Sequence, residues 1–139
     1  TLEPEPHPEV FYLIEDTFKQ LDKGGPGLVS NLPIYFLIHL SQTLGFGLQG
    51  IYSSDTPILD VHEGNFVANK PLHPYFLEGL EAQTASTFLS LQLYNELETI
   101  HLNGAQRKKI LELFQLSLSW HYKKFTEIKS LPILQAVLH

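Results

Sequence analysis

The run Ile34-Tyr35-Phe36-Leu37-Ile38 is the feature that most restricts how this chain can fold. Side chains on a helix recur about every 3.6 residues, so an unbroken run of this length turns apolar groups to every side. Such a helix has no face for water and has to be enclosed by other elements. The spacing predicts a helix over roughly 28–44, central in the fold. Pro33 fits the first turn if this helix begins near Ser30 or Asn31, whereas a start at Leu28 would require a kink. Gly45-Phe46-Gly47 stops it. The chain has 139 residues, 43% hydrophobic and 17% charged, a composition that suits one domain able to bury such a helix. No apolar run approaches the ~18 residues of a membrane span.

The elements that would enclose it can be read on either side. Pro4, Pro6 and Pro8 make a stiff leading segment, and Pro8 suits the first turn of a helix. Val10, Ile14, Phe18 and Leu21 then keep helical spacing, with Phe11 and Leu13 widening the stripe. Lys23-Gly24-Gly25-Pro26 ends this helix, with glycine offering the left-handed cap. Residues 46–57 read as a loop. Ile58 to His62 and Asn65 to Ala68 are short β-prone runs around Glu63-Gly64, predicting one small hairpin at 58–68 and no other β structure. Pro71-Leu72-His73-Pro74 is a rigid corner before a third helix at 78–92, carrying Leu80, Phe88, Leu89 and Leu91.

Residues 93–102 keep a helical rhythm through Leu93, Leu97 and Ile100 without a clear boundary. Asn103 with Gln106 three residues on is a variant of the capping box, starting a long helix over about 104–124. Its Ile110, Leu111, Leu113, Phe114, Leu116, Leu118 and Trp120 are expected to form the spine of the core. Ser130 caps a last short helix with Pro132 in its first turn. The expected fold is mainly α: a bundle-like domain of about five to six helices, spanning 1–139, with one hairpin.

Charge and side-chain chemistry exclude several functions. There is no cysteine, which removes disulfides, thiol catalysis and Cys-ligated metals and fits a reducing cytosol. The formal net charge of −6 argues against a general DNA-binding surface, which needs clustered Lys and Arg. Residues 1–69 carry nine acids against Lys19 and Lys23, whereas 103–139 carry six cations against Glu112 and Glu127. Any anion-binding surface is therefore expected in the last third. No nucleophile elbow, phosphate-cradling Gly loop or paired carboxylates are present, and Glu15 and Asp16 do not converge on a helix. The chain is expected not to be an enzyme and to need no cofactor. It contains no Met at all, which reads as a piece of a longer protein.

Several segments together resemble a known family. They are Pro71-Leu72-His73-Pro74-Tyr75-Phe76-Leu77, Arg107-Lys108-Lys109, Trp120-His121-Tyr122 and, most closely, Glu127-Ile128-Lys129-Ser130-Leu131-Pro132-Ile133-Leu134. Phe11 to Leu21, Leu44-Gly45-Phe46 and Leu59-Asp60-Val61-His62-Glu63-Gly64 agree in order. The pattern resembles the C-terminal, mostly helical part of RecO in Bacteroidetes-type bacteria. The resemblance implies a non-enzymatic recombination mediator in DNA repair, cytoplasmic and associated with the bacterial nucleoid. It implies work with RecR and the single-stranded-DNA-binding protein in strand annealing and RecA loading. Single-stranded DNA would be bound mainly by an N-terminal OB-fold domain that this chain does not include. Many such proteins carry a four-cysteine zinc site beside the hairpin; without cysteine no zinc is expected here. The alternative is a helical adaptor with no role in DNA repair.

The candidate contact residues are Arg107, Lys108, Lys109, Lys123, Lys124, Lys129 and Trp120. Arg107, Lys108 and Lys109 open the long helix, at the positive end of its macrodipole, where a cation costs about 0.3–1 kcal/mol. A cluster accepted there suits an acidic peptide or phosphate; the plainer reading is solvated charges, with Lys108 beside Glu112. Lys123, Lys124 and Lys129 near the end of that helix favour its dipole. Beside Trp120, Tyr122 and Phe125 they suit the tail of the single-stranded-DNA-binding protein, which is acidic and ends in an apolar residue. The plainer reading makes these aromatics core. His62 and His73 lack metal-ligand spacing, so a hydrolase built on them is disfavoured and both read as structural. His39 and His121 read as interior or boundary histidines.

Overall fold

A computed structural model describes residues 8–121 of the chain. The elements are α1 (Pro8–Lys23), α2 (Pro26–Thr43), β1 (Ile58–Asp60), β2 (Asn65–Val67), β3 (Phe76–Leu77), α3 (Gly79–Ser90), a 3-10 helix (Tyr94–Thr99) and α4 (Gly104–His121). Three strands form one small sheet in the order β2-β1-β3, and helices make up the rest. The fold is mainly α with a small β element, as expected. The predicted last helix from Ser130 lies outside the described residues, as do Pro4 and Pro6.

The all-apolar run behaves as its pattern requires. Ile34, Tyr35, Phe36, Leu37 and Ile38 are all buried, and α2 packs against α1, α3, α4 and the 3-10 helix. The start of α2 differs from the sequence reading. It begins at Pro26, whose missing N–H costs nothing at the first position, and Pro33 lies inside the helix. An interior proline removes one backbone bond and costs about 3 kcal/mol. Leu28, Asn31 and Leu32, all buried, belong to the turns ahead of Pro33, and packing them outweighs that loss. The spine of the core is accordingly α2. In α4 only Ile110, Phe114, Ser117 and Leu118 are buried, so the expectation that the last long helix forms the spine is corrected.

α1 lays its predicted stripe on α2: Val10 and Ile14 are buried, and Leu13, Phe18 and Leu21 pack half-buried around them. The glycines after α1 act by size and not by left-handed backbone. Neither has a positive φ, but a Cβ at Gly24 would lie 2.5 Å from Leu28 Cδ2, so a larger residue there would require the buried Leu28 side chain to shift.

The hairpin pairs Ile58 with Val67, Leu59 with Phe66 and Asp60 with Asn65. Gly64 turns it at φ 84°, in the region that favours glycine. A third strand was not legible in the sequence. Phe76–Leu77 pairs with β1 on its other edge, Leu59 opposite Leu77 and Asp60 opposite Phe76. Two residues are too few to show alternation, and the neighbouring prolines read as a corner. α3 falls inside its predicted range, but Leu80 is exposed while Ala82, Ala85 and Phe88 are buried. The ambiguous stretch 93–102 contains the 3-10 helix. The α4 start is as read: Gln106 N–H donates to Asn103 Oδ1 (2.8 Å) and Asn103 N–H to Gln106 Oε1 (3.1 Å).

Where α1, α2 and the 3-10 helix meet, rings and polar tips alternate. Tyr94 Oη donates to Asp16 Oδ2 at 2.7 Å, and Tyr94 and His39 both pack edge-on against Tyr35. Burial, reinforced by Asp16, pushes the Tyr94 phenol well above its ordinary pKa, so it stays a donor. Burial pushes the His39 imidazole below its ordinary value of 6.5.

Two outcomes follow from this core. Phe36→Ala should cost about 3–5 kcal/mol in urea unfolding, since a ring 1% exposed leaves a cavity. For His39, the unfolded chain binds the proton more readily than the folded one, so the neutral imidazole's contribution is complete above pH 6.5 and declines as pH falls towards the lower folded value. Stability of wild type and His39→Gln, measured from pH 7.5 to about 5, should diverge less at the acid end than at neutral pH.

Candidate functional site

α2 and α4 lie side by side in the same direction. Asn31 near the start of α2 contacts Arg107 near the start of α4, and at the other end Phe46 stacks on His121 with ring centres 5.3 Å apart. Both positive dipole ends therefore come to the same end of the molecule. That end needs compensation, and the structure supplies some: Glu98 Oε1, from the 3-10 helix, accepts a hydrogen bond from Gly25 N–H at the head of α2 (3.3 Å).

One fully buried amide organises the surroundings. Asn31 Nδ2 donates to the carbonyls of Leu97 (2.8 Å) and Ile100 (2.9 Å), while its Oδ1 accepts from Arg107 Nε (3.2 Å). Arg107 Nη2 donates to Leu102 O at 3.1 Å. The guanidinium is thus held by a side chain and a backbone carbonyl, with its Nη1 making no hydrogen bond among the described residues. It is a cation fixed in place before any ligand arrives.

Arg107 and Ser30 border two adjoining hollows. One, about 410 Å³, is lined by Val29, Pro33, Gly104, Leu111 and Lys108, with no carboxylate in its lining among the described residues. The other, about 550 Å³, is lined by Pro26, Gly27, Ile100, His101 and Leu102 and contains Glu98. Together they form a groove with apolar walls, one locked arginine, one exposed lysine and Glu98.

The three cations at the head of α4 therefore separate into different roles. Arg107 is half-buried and not the solvated charge of the plainer reading. Lys108 does lie near Glu112, at 3.9 Å, but this pair is largely exposed and weak. Lys109 reaches Glu81 of α3 at 3.5 Å and leans away from the groove. Lys123, Lys124 and Lys129, with Tyr122 and Phe125, lie outside the described residues. The sequence reading missed Asn31 and Glu98. An Asn in an otherwise apolar helix was the available signal, because a buried amide has to find partners.

Trp120 occupies the far end of α4, half-buried, in a ring of aromatics. It packs against His62 (5.1 Å between centres) and edge-on against Tyr75 (4.9 Å), and His73 touches both His62 and Tyr75. The two histidines meet, which their spacing did not reveal. Tyr75 N–H donates to His73 Nδ1 (3.0 Å), which puts the proton of the neutral ring on Nε2. Nε2 lies 3.0 Å from Asp60 Oδ1, an electrostatic approach and not an aligned hydrogen bond. Asp60 Oδ1 also accepts from Glu63 N–H (3.0 Å). The cluster clasps the sheet to α4. No group of three or more His, Asp or Glu able to hold a metal occurs among the described residues.

The division between structural and surface cations is measurable. Asn31→Ala strands two carbonyls and the Arg107 guanidinium and should cost about 2–4 kcal/mol in chemical denaturation. Lys108→Ala should change stability by no more than about 0.5 kcal/mol.

Comparison with known proteins agrees with the resemblance drawn from the residues. Residues 1–56 match the family model for the C-terminal region of recombination protein O. The chain is 31% identical over 108 residues to the DNA repair protein RecO of Azobacteroides pseudotrichonymphae genomovar. CFP2. That alignment takes in 78% of this chain and 44% of the relative, so the chain spans less than half of the relative's length. No solved structure matches the chain. Among the described residues no helix is long and apolar enough to cross a membrane. Both matches support reading the chain as a stretch of the C-terminal region of the RecO family.

Proposed function

We propose that this chain serves DNA repair and recombination as the protein-interaction part of a mediator, without catalysing a reaction itself. It supports strand annealing and RecA loading by holding partners, the single-stranded-DNA-binding protein and RecR. Single-stranded DNA is engaged mainly by an OB-fold domain of the longer protein. The work takes place in the bacterial cytoplasm, at the nucleoid.

The observation that carries this reading is the hollow between α2 and α4, whose lining among the described residues holds Arg107 and Lys108 and no carboxylate. An acidic tail that ends in an apolar residue needs a cation beside an apolar wall. Arg107 and Lys108 supply the first, Val29, Pro33 and Leu111 the second. The parallel dipoles of α2 and α4 add positive potential at the same end. The net charge of −6 supports leaving nucleic acid mainly to another domain. Trp120, at the far end of α4, and the cations Lys123, Lys124 and Lys129, which lie outside the described residues, are proposed as a companion contact.

The test is a titration of the chain with the fluorescent C-terminal tail peptide of the cognate single-stranded-DNA-binding protein, followed by anisotropy. Binding should saturate and weaken with salt. Lys108→Ala should lower affinity roughly two- to fivefold, the effect of one exposed charge. A loss confined to Lys123→Ala and Lys124→Ala would move the contact to the companion surface. Absence of binding would remove this partner from the chain.

A further inference from the structure

We infer that Glu98 is a charge gate on the groove: its carboxylate confines acidic ligands to the Lys108 side. This rests on the reading that an acidic tail docks between α2 and α4.

The argument is the asymmetry of two neighbouring hollows. They share Ser30 and Arg107, have apolar walls, and differ in charge. On one side Lys108 is the additional ionic group of the lining, its weak and largely exposed pair with Glu112 (3.9 Å) lying outside the hollow's lining residues. On the other it is Glu98, placed against the head of α2 by its 3.3 Å bond with Gly25 N–H. The packing is close there: a Cβ at Gly25 would stand 3.0 Å from Glu98 Oε1, and one at Gly27 would stand 3.5 Å from the Glu98 backbone. The position an incoming anion would take at this helix end is thus filled by the protein's own carboxylate.

Arg107 stands between the two sides with its orientation already set by Asn31 and Leu102. A carboxylate arriving at Arg107 meets attraction from the Lys108 side and repulsion from the Glu98 side. At separations of several ångströms in a partly solvated groove, one like charge changes affinity by about threefold to tenfold. Glu98 therefore sets direction. The acidic part of a ligand lies along Lys108 and Leu111, and only uncharged or basic parts extend past Arg107 towards His101 and Leu102. Specificity obtained by repelling the wrong arrangement is a common device at peptide-binding surfaces.

Glu98→Gln tests this, because it removes the charge and keeps an oxygen to accept from Gly25 N–H. The probes are a fluorescein-labelled peptide of several aspartates ending in an apolar residue with a free carboxylate, and its analogue with asparagine for aspartate. Each is titrated against wild type, Glu98→Gln and Lys108→Ala, with thermal unfolding as a check on folding. Glu98→Gln is expected to bind the acidic peptide threefold to tenfold more tightly than wild type and the asparagine peptide equally well. Equal tightening of both peptides would mean that space and not charge had been opened, which overturns the gate. Weakening by Lys108→Ala with no gain from Glu98→Gln would overturn the gate and keep the docking reading. No binding of the acidic peptide to wild type or Glu98→Gln would overturn both.

Discussion

A helix that is apolar on every side can be stable in water only if other elements surround it, and α2 imposes this demand on the rest of the chain. Its turns carry bulky side chains in all directions, so α1, α3, α4 and the 3-10 helix are arranged around one axis. Enclosure explains why an interior proline is kept and why Gly24 sits tightly against the buried Leu28.

Full burial makes any polar group on α2 consequential. Asn31 is the clearest case: with no water available, its amide takes one carbonyl within the 3-10 helix, one just after it, and one guanidinium N–H from α4. The demand for satisfied hydrogen bonds thus locates the head of α4 and freezes Arg107 beside the groove. The fixed position of Arg107 at the groove is a by-product of folding. Lys108, one residue on, has no such constraint and is the group free to be tuned for binding.

The opposite end of α4 solves a different problem. A three-stranded sheet with strands of two or three residues is too small to stand alone. Here Val61 and Phe66 are buried beneath it, and Trp120, Tyr75, His62 and His73 grip its edge through ring packing, with Asp60 drawn in by charge. Side-chain packing against α4 thus supports a sheet too small to stand alone.

What the sequence determined by itself is everything that depends on neighbours along the chain. The burial of Ile34 to Ile38, the stripe from Val10 to Leu21, the turn at Gly64 and the Asn103–Gln106 cap were legible, because period, turn chemistry and capping act within a few residues. Arg107 and Lys108 were legible as cations but not as different ones. Only tertiary structure decided that Arg107 is locked by Asn31, that Glu98 faces the same groove, that β3 completes the sheet and that His62 meets His73. Each depends on residues outside its own local segment: the first two on the need to bury α2 and satisfy its interior amide, the last two on the need to close the small sheet against α4. Those needs act in space, and no local pattern records where they will be met.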